Sequence, residues 1–157
     1  MSQLDIADME LQFSTSCIDS KIDSYKQIAF HLCKAAKFYL VYLNKMLGLS
    51  TENFTNLLTL LRMASSLGFK FEESKIIFIA TMNTMTNTDL EESCITYNDV
   101  IQLRINVTEL RETSLQFLTD KYKENMLSQL KINADESGEL QSIKKRLISQ
   151  LKEGCSF

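Results

Sequence analysis

A chain of 157 residues with 45% hydrophobic content has the size of one domain and is too apolar to stay disordered. It contains no proline and only four glycines, too little punctuation for an antiparallel β-protein, so composition points to an all-α fold. The net charge of −3 and the scattered basic residues leave no electrostatic footprint for nucleic acid, even counting the short run Lys144-Lys145-Arg146.

Residues 1–15 are acidic and weakly patterned, and read as a weakly ordered N-terminus or a separate short helix. Leu4 and Leu11 keep the phase of the pattern that follows, but Asp8 stands at a seam position between them. From Ser16 to Leu47 the apolar or small residues Ile18, Ile22, Tyr25, Ala29, Leu32, Ala36, Tyr39, Leu43 and Met46 step alternately by four and three. That is a heptad seam, and it predicts one long helix burying a stripe against another helix. Its reverse side is not uniformly polar: Phe30, Phe38 and Val41 lie outside the seam among Lys34, Lys37 and Lys45. Such a helix suits either the centre of a bundle or a partner-binding surface. The interspersed lysines also exclude a membrane span, because each charge at bilayer depth costs several kcal/mol.

Gly48 is placed to end this helix, and Ser50 with Glu52 to start a second, running over residues 51–67. Phe54, Leu57, Leu58, Leu61, Ala64 and Leu67 form its apolar face, and Gly68 closes it. A two-residue connection predicts an antiparallel hairpin. Residues 69–88 are ambiguous, since Lys75-Ile76-Ile77-Phe78-Ile79 would suit a buried strand. A lone strand leaves its backbone unpaired, so a helix over about 72–86 is the better reading, with Ile76, Ile79, Met82 and Met85 on one side.

Thr88 and Glu91 fit a capping box, and no glycine or proline interrupts the chain from there to Ile132. Val100, Leu103, Val107 and Leu110 make one seam; Leu115, Leu118, Tyr122, Met126 and Leu130 make a second, displaced one, the mark of a coiled-coil stutter. Such a helix either breaks near residues 96–98 or projects as a rod. After the polar loop 134–138, Leu140, Ile143, Leu147, Ile148 and Leu151 predict a short terminal helix. The expected organisation is an acidic N-terminus (1–15), a helical hairpin or bundle of long antiparallel helices (16–87), and an extended coiled-coil segment with a terminal helix (88–157).

The chemistry-bearing residues do not assemble into a catalytic pattern. His31 is the single histidine, with no evident catalytic partner, and Cys17, Cys33, Cys94 and Cys155 show no metal-ligand spacing. Glu72-Glu73 and Glu91-Glu92 are adjacent pairs whose members diverge by about 100° on a helix, so neither pair can face one substrate atom. Phosphate loops, nucleophile elbows and di-iron Glu-x-x-His pairs are lacking. No cofactor, metal, small-molecule substrate or catalytic residue is expected. The acidic start predicts no secretory signal, the Gly154-Cys155-Ser156-Phe157 ending is no prenylation signal, and four thiols fit a reducing cytoplasm or nucleus.

The expectation is therefore a non-enzymatic, coiled-coil subunit of a hetero-oligomeric complex. Its partners would be other helical proteins, met through Phe30, Phe38, Val41, Val100, Leu103, Val107, Leu110, Leu118 and Tyr122. In general style this looks like the small subunits of cytoskeletal, spindle or vesicle-tethering complexes, with no motif that selects among them. The alternative is a self-contained bundle that captures a partner helix in a groove, as apoptosis regulators do, although their Asn-Trp-Gly-Arg signature is missing.

Overall fold

The computed structural model describes residues 2–20, 24–52, 56–87 and 94–133, together with Arg146. These residues form five helices and no strand: α1 (Gln3–Ser20), α2 (Tyr25–Met46), α3 (Leu57–Ser65), α4 (Glu73–Thr86) and α5 (Tyr97–Asn133). The expected capping box at Thr88 and Glu91 and the terminal helix through Leu140 and Leu151 lie outside the described residues. The chain divides into two units, Met1–Leu115 and Gln116–Phe157. The division falls inside α5, whereas composition suggested a boundary near residue 88.

The expected helix from 16 to 47 is in fact the end of one helix and the whole of another. Ser24 stops the merger: its backbone is extended, and its hydroxyl accepts a hydrogen bond from the Gln27 amide at 3.2 Å, capping α2. α1 then runs back along α2. Phe13 meets His31, Glu10 meets Lys34 and Asp8 meets Tyr39, so lower numbers on α1 pair with higher numbers on α2, as antiparallel packing requires. The acidic N-terminal residues are thus part of the bundle.

α2 is the central helix of the first unit, packed against α1, α3 and α4. Ile28, Ala29, Leu32, Cys33, Ala35, Ala36, Tyr39, Leu40, Leu43 and Asn44 are all buried along it. Three of these are alanines, which let neighbouring backbones approach closely. Asn44 ties α2 to α3, its side-chain amide donating to the carbonyls of Leu40 at 2.8 Å and Leu60 at 3.0 Å. Gly48 ends the α2 turn at φ 80°, a left-handed conformation that costs glycine little.

α3 is shorter than expected, because Asn56 rather than Ser50 caps it, its side-chain oxygen accepting from Leu58 at 2.9 Å. Residues 73–86 are helical, with Ile76, Ile79 and Met82 buried, so the strand-like run resolves as α4. α5 begins where a break was one of two options. Thr96 and Asp99 cap it reciprocally: the Asp99 amide donates to Thr96 Oγ1 at 3.2 Å, and the Thr96 amide donates to Asp99 Oδ2 at 3.0 Å. Arg104 and Arg111 reach Asp19 and Asp8 on α1, and Lys75 of α4 reaches Glu109, which fastens the first part of α5 to the bundle.

Val100, Leu103, Val107 and Leu110, with Ser114 one heptad step further, are all buried in this unit. The seam shift detected in the sequence follows directly, with the unit boundary at residues 115 and 116. Truncating Leu103 to alanine should therefore lower unfolding free energy by about 2–5 kcal/mol, as for a buried leucine. Tyr122→Ala, at a side chain 57% exposed, should change it by no more than about 0.5 kcal/mol. Urea denaturation of the two variants measures both; a Leu103→Ala cost as small as that of Tyr122→Ala would remove this seam from the core.

Candidate functional site

The nine residues proposed for partner binding separate into three groups. Val100, Leu103, Val107 and Leu110 are buried in the core of the first unit and present no surface. Leu118 is half-buried and Tyr122 is exposed on the part of α5 that belongs to the second unit. Phe30, Phe38 and Val41 lie together on α2, and they mark its outward face. Phe30 is 43% exposed, and Phe38 and Val41 are half-buried.

That face exists because of how α2 is spaced. Phe30, Lys34, Lys37, Phe38, Val41 and Lys45 recur every three or four residues, within an arc of about 100° opposite the buried alanines and leucines. One side of the helix is enclosed; the other alternates aromatic or apolar groups with lysines. α2 as a whole carries four lysines and no carboxylate. α1 is its opposite, with Asp5, Asp8, Glu10 and Asp19 and no lysine or arginine.

Two carboxylates of α1 turn this contrast into contacts. Glu10 lies 2.5 Å from His31 Nδ1 and 3.1 Å from Lys34 Nζ, on the margin of the outward face. Phe13 and Phe30 stand edge-on to the His31 ring at 5.0 and 5.4 Å. On the opposite flank, Asp8 accepts from the Tyr39 hydroxyl at 2.5 Å and from Arg111 Nε at 2.8 Å, with a longer Nη2 contact at 3.4 Å. Burial by itself pushes Asp8 up. The Arg111 and Tyr39 hydrogen bonds and the guanidinium charge outweigh it and hold the carboxyl below its ordinary value. Tyr39 is driven well above its usual range, first by burial and then by the Asp8 carboxylate.

Asp8 was legible in the sequence only as a blemish in a hydrophobic seam. The signal that could have identified it is that a carboxylate at a core-facing register needs a cation and a donor, here Arg111 and Tyr39. His31 was expected to lack a partner; Glu10 supplies one from the antiparallel helix, a placement that no sequence spacing encodes.

Other features are weaker. An open recess of about 570 Å³ is lined by Ser65, Phe69, Lys70, Phe71 and Glu72, with the Phe69 and Phe71 rings nearly parallel at 6.4 Å. Cys33 is buried against the Ile79 carbonyl, and its thiol is pushed up to about 12 by burial. Among the described residues, no three His, Cys, Asp or Glu side chains converge to hold a metal ion, and no helix is long and apolar enough to cross a membrane.

Comparison with known protein families, with curated proteins and with solved structures gives no match to this chain.

Because folded Asp8 gives up its proton more readily than an unfolded aspartate, its stabilisation is complete above about pH 4 and disappears as pH falls through the lowered folded value. Asp8→Asn should cost about 1–2 kcal/mol near neutrality, allowing for the partial exposure of the pair. Urea unfolding from about pH 7 down to about pH 2 should show the gap to wild type closing in acid; a constant gap would assign the loss to something other than the charged pair. In native protein, iodoacetamide should label the exposed Cys94 and spare Cys33 until unfolding, as read by peptide mass spectrometry. Equal labelling of both would contradict the burial of Cys33.

Proposed function

We propose that this chain is a non-enzymatic helical subunit that works by associating with other helical proteins. One observation carries the reading: α2 is enclosed on one side and still offers Phe30, Phe38 and Val41 on the other, with Phe30 43% exposed. These three apolar groups, eight and three residues apart with Lys34 between the first two, fall on one helix face of the kind a second helix packs against. Leu118, Tyr122, Met126 and Leu130 recur every four residues on the later turns of α5, and an extended coiled-coil contact there is part of the proposal.

The second reading, a self-contained bundle that captures a partner helix in a groove, gains support from the burial of Val100, Leu103, Val107 and Leu110 within the first unit. Both readings place the activity in binding. They differ in whether the later part of α5 is needed.

Affinity purification of the tagged chain from its own cells, followed by quantitative mass spectrometry, tests the proposal. Stoichiometric helical partners should accompany the wild type and fall by at least about tenfold with Phe30→Asp/Val41→Asp, a change of about 1.4 kcal/mol or more in association. Circular dichroism of that variant should still report a folded helical protein. A monodisperse monomer by light scattering that co-purifies with nothing would overturn the association reading. Partners that survive removal of residues 116–157 would favour the groove-binding form.

A further inference from the structure

We infer that the outward stripe of α2 receives an acidic amphipathic helix from a partner protein. The partner's apolar side would meet Phe30, Phe38 and Val41, and its carboxylates would meet Lys37 and Lys45. This rests on the association reading above and adds the chemistry of the partner.

Charge complementarity supplies the first reason. Four lysines on a helix with no carboxylate form a local cationic strip in a chain whose net charge is −3. Lys34 is already answered by Glu10 at 3.1 Å. Lys37 and Lys45 form no ion pair among the described residues, although each stands one helical turn from the apolar row. Aspartate or glutamate on an incoming helix would complete what Glu10 begins.

The second reason is that the fold performs this recognition internally. α1 carries four carboxylates and no basic residue, lies antiparallel along α2, and sets apolar residues such as Ala7 and Ile18 inward while Glu10 reaches His31 and Lys34 at the margin. The same helix thus already accepts an acidic amphipathic helix on one flank. The unoccupied stripe from Phe30 to Lys45 spans about 22 Å, room for four turns of another.

An anionic bilayer is the competing occupant for a stripe of lysines and aromatics. Phe38 and Val41 are half-buried, and with Phe30 they offer side chains between which those of an incoming helix can pack.

The test uses the full chain and a synthetic helical peptide matched in length to α2, with leucines at heptad positions and glutamates flanking them. A control peptide has lysines in place of those glutamates. Fluorescence anisotropy should show saturable binding of the acidic peptide, and amide shift changes should cluster over residues 30–45. K37E/K45E, at one half-buried and one exposed lysine, should keep a melting temperature close to wild type, weaken the acidic peptide by about tenfold or more, and favour the lysine peptide instead. Equal affinity for the two peptides, binding of neither, or shifts confined to another helix would overturn the inference. So would binding of phosphatidylserine vesicles without binding of the acidic peptide, or light scattering that shows a second copy of this chain occupying the stripe. Cellular partners that are lost with Phe30→Asp/Val41→Asp yet retained with K37E/K45E would sink the acidic-helix assignment while leaving the association reading intact.

Discussion

Tyr39 lies almost wholly inside the protein, and its hydroxyl is met by Asp8. An unmatched hydroxyl at that depth would cost more than a typical hydrogen bond returns, and the partly exposed Asp8 carboxylate supplies its acceptor. Arg111 completes the set at 2.8 Å. Three helices far apart in sequence therefore share one small polar junction: α1 brings the charge, α2 the hydroxyl and α5 the cation. The apolar burial around it is larger in total, but it is tolerant of sliding by a turn. The junction is directional, and it fixes which residues meet: Asp8 of α1 with Tyr39 of α2 and with Arg111 of α5.

The same register gives α2 its two characters. Setting Tyr39 inward places Ala29, Leu32, Ala36 and Leu43 inward with it, and helical spacing then leaves Phe30, Lys34, Lys37, Phe38, Val41 and Lys45 to face outward. The opposite charges of α1 and α2 reinforce that arrangement at its margin, where Glu10 lies between His31 and Lys34. The enclosed side is what makes the bundle stable, and the open side is where association would act. Both arise from one choice of helix rotation.

Much of the secondary structure was legible in the residues themselves. The scarcity of glycine and the absence of proline pointed to helices, and α4 could be read as helical because a lone strand would leave its backbone unpaired. The left-handed glycine after α2 was also readable. The break between α1 and α2 was not read, because the apolar spacing in the sequence continues through Ile18, Ile22 and Tyr25 and periodicity is blind to an interruption that keeps phase. Ser24 followed by Gln27 was the available signal, a capping pattern inside an apparently continuous seam. In the same way Thr96 followed by Asp99 was a readable capping pattern at the start of α5. For the candidate site, the pattern singled out Phe30, Phe38 and Val41 but grouped them with Val100, Leu103, Val107 and Leu110, since an apolar seam looks the same whether its partner is inside the chain or outside it.

By itself, then, the sequence determined that the chain would be helical, where apolar residues recur at helical spacing, and that an acidic stretch would precede one carrying lysines. Those are properties of residue type and spacing, and they act within a few turns. Only the tertiary structure decided that α1 folds back onto α2, that Asp8 serves Tyr39 and Arg111, and that the first seam of α5 is enclosed while the outer face of α2 stays open. These depend on which stripe meets which across long separations in the chain. Hydrophobic burial, being non-directional, leaves that choice to the few polar groups that must find partners.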